Sequence, residues 1–505
     1  MKLRNLSVAC AIALATPVVA MAGDDVDIGK LYRDDFRVNQ DTITDLSRDE
    51  IRLAGMRMFT NPFLKQEGYG DGDDNPPSPT PGTNHEGERG TLQGNGTFQR
   101  INGLDAQACL ECHSIISRRK VPMTFGIGGV GGVNNNVLGA GGATFVDLTT
   151  SDKQANINGR VINPPFIFGA GGIELLAKEM TIRLNRQLQH TGPNETTALR
   201  AKSVDFGSVS KDAAGNIVTV DHDGDPSTEE IADGVVGVFD LRPKRYVDGA
   251  LVDNDDFLVV APFGRKGDNK STRTFDIGAL SFHFGMQIGN HDDDNDGISN
   301  EVTDGELSAL SVFVATAQTP FQTELNAEAR RGRRVMNEVG CTECHKPKMN
   351  THSKLLTFSS DEVGNDPTHA VYYSVDLTKP PMNFPKNNRG GVTVELFADL
   401  KRHYMGPSLA EFNGDAMFTT MRLWGVADTA PYLHDGRALT IPDAIREHGA
   451  DASSEANPAV SAFLARSAED QEAVLAFLDT LRSPDGTFPR LQRLAKDVAT
   501  VQGVD

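Results

Sequence analysis

Apolar residues recur at helical spacing in four stretches, two on each side of Thr319-Pro320. The first opens on Ser47-Arg48-Asp49-Glu50, a capping-box pattern, and continues with Ile51, Ala54, Gly55 and Met58 on one face. The second spans 305–317, where Leu307, Leu310 and Val314 follow an i, i+3, i+7 pattern. Beyond the prolines, residues 322–338 predict a basic helix, and Ser467-Ala468-Glu469-Asp470 caps a last helix carrying Val474, Leu475, Leu478 and Leu481. A different rhythm runs through 204–262, where short Val, Ile, Phe and Leu runs alternate with Asp-Gly turns and predict a small β insertion. Residues 68–96, rich in Gly, Pro, Asp and Asn, and the Gly-rich 126–143 read as irregular excursions.

The N-terminus stands apart from this pattern. Lys2 and Arg4 precede an apolar run over 6–20, and Ala20-Met21-Ala22 supplies an A-x-A cleavage site. Residues 1–22 are therefore expected to be a secretory signal peptide, and the mature protein to be exported to the periplasm. The rival readings are a membrane anchor, for which the run is too short, and a lipoprotein signal on Cys10, which lies too near Met1. No later stretch approaches the length of a membrane span, so membrane insertion is not expected.

Composition narrows the function classes. The chain has 505 residues with 69 Asp+Glu against 49 Lys+Arg, a net charge of −20, and no basic run. That balance argues against nucleic acid or an anionic membrane as partner. The length predicts more than one domain. With 5 cysteines, the chain cannot be a disulfide-built scaffold.

Four of those cysteines, all but Cys10, fall in two short motifs: Cys109-Leu110-Glu111-Cys112-His113 and Cys341-Thr342-Glu343-Cys344-His345. Each is C-x-x-C-H, the attachment pattern for a c-type haem. Two thiols three residues apart form thioethers to the haem vinyl groups, and the adjacent imidazole becomes the proximal iron ligand. A redox disulfide or half of a zinc site also uses C-x-x-C, but neither needs the histidine that follows both pairs. Two covalently bound haems are the expected cofactors.

Each motif lies between an upstream helix and a closing helix, the plan of a cytochrome c, and the plan occurs twice. The expected fold class is mainly α: two cytochrome c-like haem domains, with long loops and a small β insertion in the first. The expected organisation is a signal peptide over 1–22, an N-terminal haem domain with insertions over 23–320, and a C-terminal haem domain over 321–505.

Met417 to Val426, followed by Thr429-Ala430-Pro431-Tyr432-Leu433-His434-Asp435-Gly436-Arg437, resembles the bacterial dihaem cytochrome c peroxidase superfamily. The resemblance is nearest to its dihaem oxidoreductase branch, often labelled thiol oxidoreductase. There Met405-Gly406-Pro407, Pro164-Pro165 with Phe168-Gly169, and the acidic turn Asp296 to Asn300 also recur. It is specific over 320–482 and patchier over 100–320, and residues 68–96 and 204–250 have no counterpart.

The resemblance implies His113 and His345 as proximal ligands and places a further axial ligand of the second haem at His448, within Ala444-Ile445-Arg446-Glu447-His448. The competing reading of His448 is a solvated helix-end histidine, with Met405 and Met417 as fallback ligands. His434 is expected to hydrogen-bond near a haem edge rather than to ligate iron. At the first haem, the peroxidatic one in the superfamily, the family's distal glutamate falls near Gly285, where no carboxylate stands. The nearby His283 is the candidate catalytic residue, as distal base or displaceable ligand; a packed core histidine is the alternative. The aromatic expected between the haems is Phe263, while Trp424, the single tryptophan, lies in the second half.

Asp292, Asp294 and Asp296, with Gly297 at position 6, match the start of a calcium loop, although Thr303 replaces the bidentate glutamate of position 12. Calcium near the haem interface, as in the superfamily's peroxidases, competes with a solvated Asx-rich turn. Asp221, Asp223 and Asp225 are a weaker echo. Two functions fit: a peroxidase-like oxidoreductase reacting at the first haem and relaying electrons through the second, or a dihaem electron carrier. Either implies a small-molecule or protein electron donor or acceptor.

Overall fold

A computed structural model describes residues 37–63, 67–68, 108–109, 112–113, 138–139, 160–161, 163–219, 243–254, 257–284, 286–289, 300–410 and 414–484. The expected signal peptide and the acidic segment with Asp292, Asp294 and Asp296 lie outside them. Among the described residues, no helix is long and apolar enough to cross a membrane.

The architecture is mainly α, with small two- and three-stranded ladders. Helix α1 (Arg48–Thr60) begins at the capping box read from the sequence: Ser47 N donates to Glu50 Oε2 at 2.8 Å, and Glu50 N donates to Ser47 Oγ at 3.4 Å. It buries Ile51, Leu53, Met58 and Phe59. Helices α2 (Ala170–His190), α3 (Thr272–Phe284) and α4 (Asp304–Ala315) complete the first bundle. α4 was expected to bury one face, but all of Gly305 to Ala315 is buried. Its sequence is apolar nearly all round, and α1, α2 and α3 pack on it.

α1 and α4 cross in close contact. A Cβ on Gly55 would stand 2.1 Å from the Ala309 carbonyl oxygen, so only glycine permits the approach. The second half repeats the device. Helix α5 (Ala327–Glu338) crosses α8 (Ala468–Leu478), and a Cβ on Gly332 would stand 1.8 Å from the Ala473 carbonyl oxygen.

The basic helix expected over 322–338 starts later, at Ala327, where Asn326 Oδ1 accepts from Ala329 N at 2.7 Å. Phe321 and Gln322 instead pair antiparallel with Arg482 and Leu481. Leu481, expected on the last helix, therefore lies in a strand three residues beyond its end. Helical periodicity extended both predictions into residues that a cross-chain ladder claims.

Strands Thr196–Ala201, Val204–Lys211 and Ile217–Val218 form one antiparallel sheet, and Lys244–Val247 pairs with Ala250–Asp253. The β insertion thus begins before its expected start, at Thr196. Among the described residues, two large hydrophobic cores stand beside a small cluster of Phe257, Val259 and Ala261. The larger gathers α1 to α4 and the first sheet, and also Met349, Leu356, Phe358, Val375, Leu377, Phe384, Leu396 and Leu400 from the second half. The smaller is built from α5, Phe397, Phe463 of α7 (Asn457–Leu464) and α8.

Candidate dihaem site

Cys109, Cys112, Cys341 and Cys344 are all free of disulfides. Burial pushes the Cys341 thiol up to about 11, away from the thiolate that redox chemistry requires. Cys341–Glu343 forms a single 3-10 turn behind Gly340, and Glu343 N donates to Gly340 O at 2.9 Å. The turn leaves both cysteines and His345 partly exposed at one place.

The two motif histidines are held alike. His113 Nδ1 bonds the Pro165 carbonyl at 3.0 Å, and His345 Nδ1 bonds the Phe397 carbonyl at 3.1 Å. In each case the acceptor lies 52 residues downstream of the histidine. An N–H given to a backbone carbonyl fixes the ring and leaves Nε2 as the ligand atom, the usual support of a metal-bound histidine. Burial lowers each imidazole to about 4, His283 adding to the effect at His113 and His448 at His345. Both are neutral at pH 7, as ligation requires.

His448 closes helix α6 (Ile441–His448), which begins at the Thr440 cap. Its Nδ1 bonds the Ala444 carbonyl at 2.7 Å, and burial lowers its pKa. The His345 and His448 ring centres are 6.5 Å apart, with the planes at 55°. Two imidazoles sharing one metal through bonds of about 2.0 Å, with roughly 1.1 Å from nitrogen to ring centre, stand about 6.2 Å apart. The residues present fit a haem iron between them.

His283 lies in the last turn of α3, near enough to His113 that its charge adds to the lowering of the His113 pKa. Polar anchors fix α3. Thr272 N and Oγ1 donate to Glu174 Oε2, each at 2.9 Å, and Arg273 Nη1 donates to Ser308 at 2.6 Å. Ser311 Oγ donates to Asp276 at 2.9 Å, and burial holds the Asp276 carboxyl well above its usual range. Phe59 and Phe275 stand 6.5 and 6.4 Å from the His113 ring.

His434 stacks on Phe418 at 4.5 Å, and Lys266 sits 3.7 Å over that same ring. Met417 is fully buried in the ladder 402–404/417–419. Phe263 is buried, its backbone bonded to that of Asn269. The ring edge of Trp424 occupies the space over Gly169, and the preceding Leu423 N donates to Leu396 O at 3.2 Å, one residue before the carbonyl that holds His345.

A cluster that motif reading missed adjoins Cys344. His403 bonds Asp399 through Nε2 at 2.9 Å and Glu455 through Nδ1 at 2.7 Å, with the Cys344 sulfur 3.9 Å away. The two carboxylates raise His403 well above its usual value against the effect of burial, and His403 in turn holds Glu455 low. Cys344, Asp399 and His403 have the residue types of a metal site. Both ring nitrogens of His403 are committed to carboxylates, however, which leaves no lone pair for an ion. The i, i+4 spacing of Asp399 and His403 was the one trace of this cluster in the sequence.

Residues 287–481 match the family model described as "Di-haem oxidoreductase, putative peroxidase". The stretch holds the second C-x-x-C-H, the 417–437 motif and His448, and the match bears out the resemblance to the dihaem oxidoreductase branch. Among solved structures, the chain is similar to one titled "Crystal structure of a MauG-like protein associated with microbial copper homeostasis". That match has 15% identity and a TM-score of 0.22, and it covers 37% of this chain and 56% of that one. No curated protein matches the chain.

Proposed function

We propose that this chain is an exported dihaem c-type oxidoreductase of peroxidase-like type, with substrate chemistry at the haem on His113 and electron relay through the haem on His345. The observation that carries the reading is the His345–His448 pair, whose 6.5 Å ring spacing suits a single iron closed on both sides. A bound haem supplies an iron that takes up and releases single electrons, and that binds substrate where its sixth position opens.

Cys109 with Cys112, and Cys341 with Cys344, would form the thioethers. His448, fixed through Nδ1 to Ala444, would offer its Nε2 to the second iron and so exclude substrate there. His283, near His113, would act at the first site in one of two ways. As a displaceable ligand it would withdraw to admit substrate; as a base it would take a proton from a hydroperoxide and return it to the departing oxygen. The acidic segment with Asp292, Asp294 and Asp296 holds calcium in this reading. Chelation should then lower the melting temperature and perturb the haem spectrum, and an unchanged melt would assign a solvated turn.

The second reading, a dihaem electron carrier, draws on one observation: His283 lies near enough to His113 to lower its pKa, as His448 does that of His345. The spin state of the oxidised protein separates the two. His448→Ala is expected to turn the second haem high-spin while leaving ligand binding at the first intact. His283→Ala should slow the peroxide reaction if His283 is a base, and speed ligand entry if it is a displaceable ligand. Two low-spin haems in the wild type that neither peroxide nor cyanide perturbs, even after half reduction, would leave the carrier.

A further inference from the structure

We infer that Arg422 binds a propionate carboxylate of the haem on His113 and thereby raises that haem's reduction potential; the inference rests on the dihaem reading above. The argument begins with placement. Residues 422–425 touch both proximal segments. Arg422 Nη2 donates to Phe166 O at 3.0 Å, one residue past the carbonyl that holds His113, and Leu423 N donates to Leu396 O, one residue before the carbonyl that holds His345. Arg422 Nη1 reaches Pro262 O at 3.4 Å. Both oxygens that it contacts belong to first-half segments, which assigns it to the first haem.

Its charge is uncompensated. Among the described residues Arg422 has no carboxylate partner, and its Nε is shut away from solvent without a hydrogen bond. Burial alone lowers the guanidinium to about 10. Arg52, lowered equally, has Asp49 in its field. In a chain whose net charge is −20, an arginine kept from every acid is a costly arrangement unless another anion completes it. Each haem brings two propionates, and a guanidinium presents planar paired donors suited to a carboxylate. A fixed cation beside that carboxylate cancels a negative field near the iron, which favours the reduced state.

The experiment uses the full chain with its haems, comparing wild type, Arg422→Met and Arg422→Lys by haemochrome stoichiometry and spectroelectrochemical titration. His448→Ala, which alters the second haem alone, assigns the two potentials. Arg422→Met should keep both haems and lower the potential of the His113 haem, with a much smaller shift at the other. Arg422→Lys should restore most of the loss, because it keeps the charge but not the two-carbonyl clamp. If Arg422→Met does not fold, Arg422→Gln replaces it against the lysine variant. Unchanged potentials in a fully loaded variant overturn the inference, as does a shift confined to the second haem or an equal shift in the neutral and lysine variants. A wild type with fewer than two haems per chain overturns the dihaem reading and this inference together.

Discussion

In the first half Gly55 lies against the Ala309 carbonyl, and in the second Gly332 lies against that of Ala473. In both, the helix before the haem motif crosses the closing helix at that glycine, and the motif histidine bonds a carbonyl 52 residues further on. The surroundings differ. α4 is buried on all sides within a core that also draws in residues 349–400, whereas α8 buries Ala473, Val474, Phe477 and Leu478 and leaves its first turn exposed. One plan of helices around a C-x-x-C-H motif is therefore embedded in a large core in one copy and stands on a small core in the other. The difference separates what the plan needs, a glycine crossing and a carbonyl behind the histidine, from what surrounds it.

The largest expected effect tests that asymmetry. Cys341→Ala with Cys344→Ala should remove one haem of two by haemochrome stoichiometry and make α5, α7 and α8 sensitive to limited proteolysis, since the smaller core that they form has little else to bury. Cys109→Ala with Cys112→Ala should also remove one haem yet leave most far-UV helical signal, because the larger core persists. Equal unfolding in both double variants would break the comparison.

Next in size is the glycine crossing. Gly332→Ala and Gly55→Ala should each destabilise by about 3 kcal/mol, as overpacking against backbone does. A thermal melt should show this as a fall of roughly 6–12 °C. Gly332 has the tighter approach, 1.8 against 2.1 Å, so its variant should melt lower. The reverse order would mean that the larger core, not the crossing, sets the cost.

The smallest effect sharpens a feature of the second site. His403 is raised in the folded state, so the stability it contributes is full below its unfolded value of about 6.5 and is lost as pH rises through the folded value. Glu455 is lowered and contributes in the opposite sense, its share vanishing as acid protonates it. His403→Gln should therefore lower the melting temperature most between about pH 5 and 6.5, by the equivalent of about 1–3 kcal/mol, and progressively less in alkali. A deficit that stays constant with pH would show that His403 acts through packing rather than charge.

Much of this site was legible because its signals are local. C-x-x-C-H puts three functional groups within five residues, and the Ser47 and Ser467 caps precede helices found where expected. His448 came through resemblance to a family, and the structure places it opposite His345. The start of α5 and the position of Leu481 were misread because a two-residue ladder between distant segments leaves no periodic trace. The Asp399–His403–Glu455 cluster was missed for a related reason: one of its carboxylates comes from 52 residues away.

The sequence by itself determined what each short segment offers: two C-x-x-C-H motifs, the histidines that end them, and helices of a given period and start. Tertiary structure alone decided which groups meet. Only the folded chain sets Pro165 behind His113 and Phe397 behind His345, brings His283 near His113, and joins Arg422 to Phe166 across 256 residues. The physical reason is range. Periodicity and motif spacing record geometry within a few turns of one chain segment, so they show that a face is apolar or a group reactive. The neighbour that covers the face or completes the charge is chosen by packing between segments far apart in sequence, and there the largest contributions to a buried site arise.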